Sequence, residues 1–293
     1  MADLPIVLLP VGVDDDALDA CLAALDRGTP AGTRVWLADD AQAGPRGLAI
    51  VERWLAGTPL QADYTRRDRR IGEVSHLDEA LQACADADVI VLAPDAIPFP
   101  GWATALAACA AGDAAIATAT PWCNAGEAAS WPRCGEVAPV PGTRSTEDIA
   151  RLARAAAAMP PAHPELPAAV DHAVFLRGRA RRKAGGLDAS SYRSWYAALI
   201  DLSLRLSGLG WRNALCTTAF VARGGEGGPG EGDMDALAAR WPTWHARLAT
   251  FLMDDPLRAT RDALSRRFAA GMPAPQRELF PDPPGTDGDG DAA

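Results

Sequence analysis

The chain is poor in the patterns that mark several common functional classes. Of its 293 residues only four are histidine and six are cysteine, and no two cysteines form a Cys-x-x-Cys pair. A structural zinc site is therefore not expected. Acidic side chains number 38 against 28 basic ones, a net charge of -10, so the chain lacks the basic face that a nucleic-acid partner requires. No Gly-x-Gly-x-x-Gly follows the opening strand-like run, and there is no P-loop lysine motif, which leaves the usual dinucleotide and nucleoside-triphosphate fingerprints unsupported. No apolar stretch is long enough to span a bilayer. The first twelve residues, MADLPIVLLPVG, have neither the basic start nor the long apolar core of a secretion signal. A cytoplasmic protein with reduced thiols is the expectation, with Cys21, Cys84 and Cys109 acting as small core residues.

What is present is a large apolar fraction, 48%, in a regular alternation. Pro5 to Leu9 reads as a buried strand, and ALDACLAAL behind Asp14, Asp15 and Asp16 as a helix with an acidic start. Thr33 to Leu37 is a second strand and Gly47 to Trp54 a second helix. Tyr64 to Arg70 is expected to hold a short edge strand, and Ser75 to Ala85 a third helix. Val89 to Leu92 is then a short, wholly apolar run of the kind buried on both faces of a sheet. This order predicts parallel βαβ units.

Two of these strands end in acid, at Asp40 and Asp95. Ligands in open α/β sheets bind just beyond the C-terminal ends of strands, so two such aspartates at one edge predict a crevice. After Asp95, Pro98 and Pro100 are expected to hold the chain irregular until a helix starts at Trp102.

The second half is more varied. Ala114 to Thr120 reads as a strand, followed by a long irregular loop from Ala125 to Gly142. Thr146 to Met159 reads as a helix capped by Ser145, with Glu147 and Asp148 in its first turn. Ala168 to Leu176 is expected as a strand, Arg177 to Ala184 as a basic helical stretch, Ser194 to Gly208 as a helix, and Trp211 to Val221 as the last strand. A glycine-rich loop runs from Arg223 to Gly232. Asp233 to Phe268 reads as helical, its stripe of Trp241, Trp244, Leu248 and Phe251 facing a core. From Pro273 the composition is that of a disordered acidic tail.

The motifs IVLLPV, VWLADDA, VIVLAPDAIPFPGW, ATATPWCNAGEAASWP, VFLRGRARRKAGGLD and DPLRATRDAL occur in that order. In order and spacing the chain resembles the family 2 glycosyltransferases of GT-A fold, the bacterial surface-polysaccharide type, over roughly residues 4 to 265. The resemblance implies a Rossmann-type, mostly parallel sheet flanked by helices, with a C-terminal helical extension. It divides the chain into a nucleotide-sugar-binding half (1-125), an acceptor half (126-225), C-terminal helices (233-268) and the tail (273-293). It implies a nucleotide-sugar donor, a glycan or lipid-linked acceptor, and inversion at the anomeric carbon. Its cofactor would be a divalent metal, Mg or Mn, held at Asp95. Pro10, Val11 and Val13 would line the nucleoside pocket, and Asp40 would touch the base. Asp78, Trp122 and Asn124 would complete the substrate site. Association with a membrane surface or a partner protein is a further implication.

The chain also departs from the family pattern. Ala93-Pro94-Asp95 keeps one acid where the family has two around the metal. In WYAALIDLSLR the family's acidic pair falls on Ala198 and Leu199, which leaves Asp201 as the catalytic candidate, with His76 and Asp188 as substitutes. FVARGG has no histidine where the family often carries a metal ligand, and Asp78 replaces an asparagine. Losing a positioned base costs about 10²–10⁴-fold in rate. Arg177, Arg179 or Arg223 would be able to replace a metal's charge at a diphosphate. Two readings stay open: a glycosyltransferase, or a catalytically impaired relative that binds a nucleotide sugar, a glycan or a partner protein.

Overall fold

A computed structural model describes residues 4–138, 146–225 and 227–271. The expected cap at Ser145, the end of the long loop at Gly142 and the tail from Pro273 lie outside them.

The first half follows the alternation in the sequence. Strands β1 (Ile6–Pro10), β2 (Arg34–Asp39), β3 (Gln61–Arg66) and β4 (Val89–Leu92) alternate with helices α1 (Asp15–Gly28), α2 (Pro45–Leu55) and α3 (Glu73–Ala83). Asp14 caps α1 by accepting from the amides of Asp16 and Ala17, both at 3.0 Å, and so satisfies two of its orphan donors. All three strand pairs in this half are parallel.

Past Asp95 the structure departs from the expectation of an irregular segment. Ala96–Pro98 forms a short strand, β5, antiparallel to the last strand. The two remaining prolines sit where their missing N–H groups cost little, at a strand end and in the turn before α4 (Trp102–Gly112). Then come β6 (Ile116–Trp122), α5 (Thr146–Ala157), β7 (Ala173–Leu176), α6 (Gly178–Ala184), α7 (Trp195–Gly208) and β8 (Arg212–Arg223). The strand expected from Ala168 starts only at Ala173. The amides of Ala169 and Val170 donate instead to the hydroxyls of Ser203 and Thr120, so they are unavailable to a ladder. The long helical stretch from Asp233 is three helices, α8 (Asp233–Arg240), α9 (Trp244–Asp254) and α10 (Arg258–Ala270). Pro242 and Pro256 stand at the two breaks, where a proline cannot continue a helix.

The eight strands lie in the order β3-β2-β1-β4-β7-β6-β8-β5. β7 runs against both its neighbours, β4 and β6, while β8 runs parallel to β6. The mostly parallel sheet of the first half thus becomes mixed in the second. This reversal has a consequence for function. It brings the N-terminal approach to β7 to the same edge as the C-terminal ends of β1, β2, β4, β6 and β8.

Helices cover both faces. On one, Leu18, Leu22, Trp54, Trp102 and Leu106 pack over the sheet; on the other, Leu77, Leu81, Trp195, Leu199 and Leu202 do so. A third cluster around Trp122, Trp131, Leu152 and Leu264 docks α5 and α10 beside the β6–β8 end. Fully burying one such large side chain is worth about 1.5–3 kcal/mol, so these three layers fix the sheet edge on which the site is built. Among the described residues no helix is long and apolar enough to cross a membrane.

Candidate active site

A crevice of about 570 Å³ opens at that edge. Its floor is Pro10, Val11 and Gly12 at the end of β1 and Leu92 to Asp95 at the end of β4. Asp40 and His76 stand at one end. At the other, the first turn of α7 enters with Ser194, Trp195 and Tyr196, and Asp171 and Arg223 arrive from β7 and β8. Glu73, at the start of α3, lines the crevice as well.

That second end of the crevice is built on an ion-paired trio. Arg223 meets Asp95 through two parallel bonds, Nε to Oδ2 at 3.1 Å and Nη2 to Oδ1 at 3.0 Å, and reaches Asp171 Oδ1 through Nη1 at 3.0 Å. Its side chain is only 7% exposed, against 24% for Asp95 and 11% for Asp171. Burial alone would lower the pKa of Arg223, but the two carboxylates outweigh it and hold the guanidinium charged. Burial raises the pKa of Asp171, and Arg223 opposes the rise. The Gly225 amide also donates to Asp95, at 3.2 Å.

Asn124 sets the origin of this arginine. Its Nδ2 donates to the Arg223 carbonyl at 3.1 Å, and its Oδ1 accepts from the Arg223 amide at 2.9 Å. Asn124 therefore acts on the site through the β8 backbone, and it is not part of the crevice wall.

Glu73 lines the crevice beside the start of α7. Its Oε2 accepts from the Trp195 amide at 3.1 Å, at the N-terminus of α7. Desolvation in the wall raises its pKa, with Asp171 and Asp233 adding to the rise. His76 is buried, and desolvation lowers its pKa, so it is neutral near pH 7. The charges that act on the two groups distinguish them. Glu73 feels Asp171 and Arg223, whereas His76 feels Asp40, Arg67 and Asp39.

Several expected site residues are placed elsewhere. Val13 is 70% exposed and outside the crevice, where Gly12 takes the wall position. Trp122 is wholly buried beneath the Arg261 guanidinium, 5.5 Å from its ring centre. Asp78 accepts from the Leu187 amide at 2.8 Å and braces the turn after α6. Asp40 does line the crevice, but its two oxygens each accept a backbone amide, from Ile71 and Gly72, both at 2.9 Å. It thereby holds the loop that carries Glu73.

Asp201 is wholly buried in the middle of α7. It pairs with Arg205 at 2.8 Å and accepts from Trp241 Nε1 at 2.9 Å. That places it in the packing between α7 and α8, away from the crevice wall. Asp188 pairs with Arg240. Arg177 is spent on the carbonyls of Ile116, Ala110 and Asp113, and Arg179 lies over Trp211. Of the three arginines considered for a diphosphate, Arg223 alone lines the crevice.

Glu73, Asp171, Arg70 and Arg193 were not among the expected site residues. Asp171 lies just outside a strand whose sense the sequence does not reveal. Glu73 opens a helix expected to start only at Ser75, so it lies outside the expected element.

The donors needed for a divalent metal do not fit this arrangement. Among the described residues no group of three or more His, Cys, Asp or Glu side chains is placed to hold one. Both oxygens of Asp95 and one of Asp171 are engaged by Arg223. His172, next to Asp171, is fully buried and donates through Nε2 to the Pro121 carbonyl, 3.2 Å away; burial, reinforced by Arg223, lowers its pKa to about 3.

No family model matches the chain, and no curated protein matches it in sequence. Solved structures do match in shape. One is a mannosyltransferase from Pyrobaculum calidifontis in complex with GDP-Man and Mn2+: 16% identical, TM-score 0.54, covering 92% of this chain and 76% of that one. Another is GalNAc-T7 with UDP, GalNAc and Mn2+: 13% identical, TM-score 0.58, covering 92% of this chain and 57% of the other. A third is S. aureus TarS 1-349 in complex with UDP-GlcNAc: 13% identical, TM-score 0.50, covering 90% and 71%. The fold is GT-A-like. The mixed eight-stranded sheet and its flanking helices form the GT-A-like frame, and the crevice lies at the C-terminal edge of its parallel strands. At these identities the likeness is one of fold.

Proposed function

We propose that the chain is a glycosyltransferase of the family 2 kind. It moves a sugar from a nucleoside-diphosphate donor to a hydroxyl of a glycan or lipid-linked acceptor, in polysaccharide synthesis in the cytoplasm. The observation that carries this reading is the meeting of the Asp95–Arg223–Asp171 trio with Glu73 and the start of α7 in one crevice. The nucleoside lies along Pro10, Val11 and Gly12 toward Asp40 and His76. The diphosphate faces Arg223, with Arg70 and Arg193 on the rim.

Glu73 is the base in this scheme. The acceptor hydroxyl gives its proton to a Glu73 carboxylate oxygen, and its oxygen attacks the anomeric carbon. The bond from that carbon to the diphosphate oxygen breaks, and its electron pair leaves with the nucleoside diphosphate. One displacement inverts the anomeric centre. The arginines stabilise the charge that grows on the leaving group. Their fixed position matters because such stabilisation is strongest where no reorganisation is needed.

One observation favours the second reading, a binding protein without turnover. The first turn of α7 is Trp195, Tyr196, Ala197 and Ala198, which offers the acceptor no acid, and Asp201 is buried. A panel of UDP- and GDP-sugars separates the two. Release of nucleoside diphosphate, accelerated by oligosaccharide acceptors, is expected for the transferase. Binding of donors with no release across the panel selects the second reading. Absence of donor and nucleoside-diphosphate binding overturns the transferase and the nucleotide-sugar form of the second reading, and leaves only a glycan- or partner-binding protein.

A further inference from the structure

Arg223 occupies the position, on Asp95, where the family resemblance implies a metal. It is a buried guanidinium held on two carboxylates that come from different strands, and its backbone is pinned by Asn124. A guanidinium has five N–H groups. The bonds to Asp95 and Asp171 use three of them, leaving one on each terminal nitrogen. Gly227 presses against this trio so closely that a Cβ there would overlap Asp171 and approach Arg223 Nη1, so the loop after β8 is seated on the pair. Two further arginines, Arg70 and Arg193, line the same crevice. Both are exposed, and neither has a side-chain ion pair among the described residues.

A metal taking Asp95 in bidentate fashion would have to displace Arg223, which already holds both of its oxygens. That breaks a bidentate, charge-assisted pair and leaves the buried guanidinium with Asp171 as its one carboxylate partner, a costly exchange. We infer that Arg223 is the resident cation of this crevice, standing in place of a divalent metal, and that the site binds the diphosphate of its ligand through arginine without needing metal. The inference rests on the reading of the crevice as a nucleoside-diphosphate site and specifies how that site meets the phosphate charge.

Calorimetry with inorganic pyrophosphate and with UDP, GDP, ADP, CDP and dTDP, each in excess chelator and in excess Mn2+ or Mg2+, tests it. Pyrophosphate and at least one nucleoside diphosphate are expected to bind equally well with chelator and with metal. Arg223→Lys, which keeps the charge and loses the fork, is expected to weaken both by about ten- to a hundredfold. Binding of the matching nucleoside should stay unchanged. Binding that appears only with metal overturns the inference and leaves the donor-site reading standing. Wild-type affinity in Arg223→Lys also overturns the inference. Failure of every nucleoside diphosphate to bind under any condition takes down the donor-site reading and the inference together. Electron paramagnetic resonance of Mn2+ added to the wild-type protein decides the question even if Arg223→Lys does not fold. The free aqua-ion spectrum supports the inference, and a protein-bound signal overturns it.

Discussion

The side-chain amide of Asn124 pairs with the backbone of Arg223 in both directions, donating to its carbonyl and accepting from its amide. Ninety-nine residues separate the two, so this pair ties the end of β6 to the end of β8. A third bond, from Nδ2 to the Ala138 carbonyl at 2.9 Å, extends the tie into the loop after β6. Asn124→Ala would strand two buried backbone groups, each at a cost of about 1–3 kcal/mol. The expected result is a lower urea midpoint with an unchanged slope. Pyrophosphate binding should weaken in the molecules that remain folded, since the arginine's origin is no longer fixed. An unchanged midpoint would show that Asn124 does not hold β8.

Asp201 serves as a test of packing rather than chemistry. Its carboxylate lies at the meeting of Arg205, Arg240, Tyr192 and Trp241. Removing one member of a buried ion pair typically costs about 3–5 kcal/mol. Asp201→Ala is therefore expected to lower the melting temperature sharply. Asp201→Asn, which still accepts from Trp241, should lower it less. Turnover per folded molecule should be unchanged in both, and a selective loss of turnover in a well-folded Asp201→Asn would return this residue to the reaction.

Much of the frame was legible because its signals are local. The apolar runs at Thr33 to Leu37 and Val89 to Leu92 and the acids after them predicted β2, β4 and the crevice edge, and Asp40 and Asp95 do line one crevice. The trio was not legible. Arg223 lies 128 residues from Asp95 and 52 from Asp171; the reversed sense of β7 brings Asp171, and the antiparallel pairing of β5 with β8, which sets Ala96 opposite Arg223, brings Asp95. No periodicity states the direction of a four-residue strand. Side-chain commitments were equally hidden. Asp201 and Asp78 are polar residues in helices, and only the packed structure shows that their hydrogen bonds are already taken. Asp188 and Arg177 are similar cases: each has the right chemistry for the site and a structural partner elsewhere.

Glu73 makes a pH prediction with a definite sign. Desolvation raises its pKa in the folded state, so the folded chain holds this proton at pH values where the unfolded chain has lost it. The stability associated with that proton is present below the unfolded value and is lost as pH rises through the folded one. Glu73→Gln should therefore be at least as stable as the wild type at neutral pH, and the difference should shrink in acid. As a base, Glu73 must be ionised, so turnover should rise with pH through its elevated pKa. Glu73→Gln should lose about 10²–10⁴-fold in turnover while donor affinity changes little. Melting curves and a pH–rate profile check both halves. A variant that keeps full turnover removes Glu73 as the base.

Two adjacent glycines in the loop after β8 separate the geometry of the ion pair from the flexibility of the loop. A Cβ on Gly227 would run into the Asp171 carboxylate and come within 2.8 Å of Arg223 Nη1, whereas one on Gly228 would meet nothing within 4 Å. Neither backbone is in the left-handed region, so alanine should introduce no backbone strain at either position. Gly228→Ala is expected to leave stability within about 0.5 kcal/mol of wild type, as for most surface substitutions, with pyrophosphate affinity unchanged. Gly227→Ala must push either the loop or the Asp171–Arg223 pair out of place. Because the two carboxylates fix the guanidinium, a small displacement misdirects its remaining N–H groups, and pyrophosphate affinity should fall about tenfold, the loss of roughly one good charged contact. Measuring both variants by calorimetry, with melting curves as the folding control, decides the matter: equal affinities would mean that the loop does not seat the arginine.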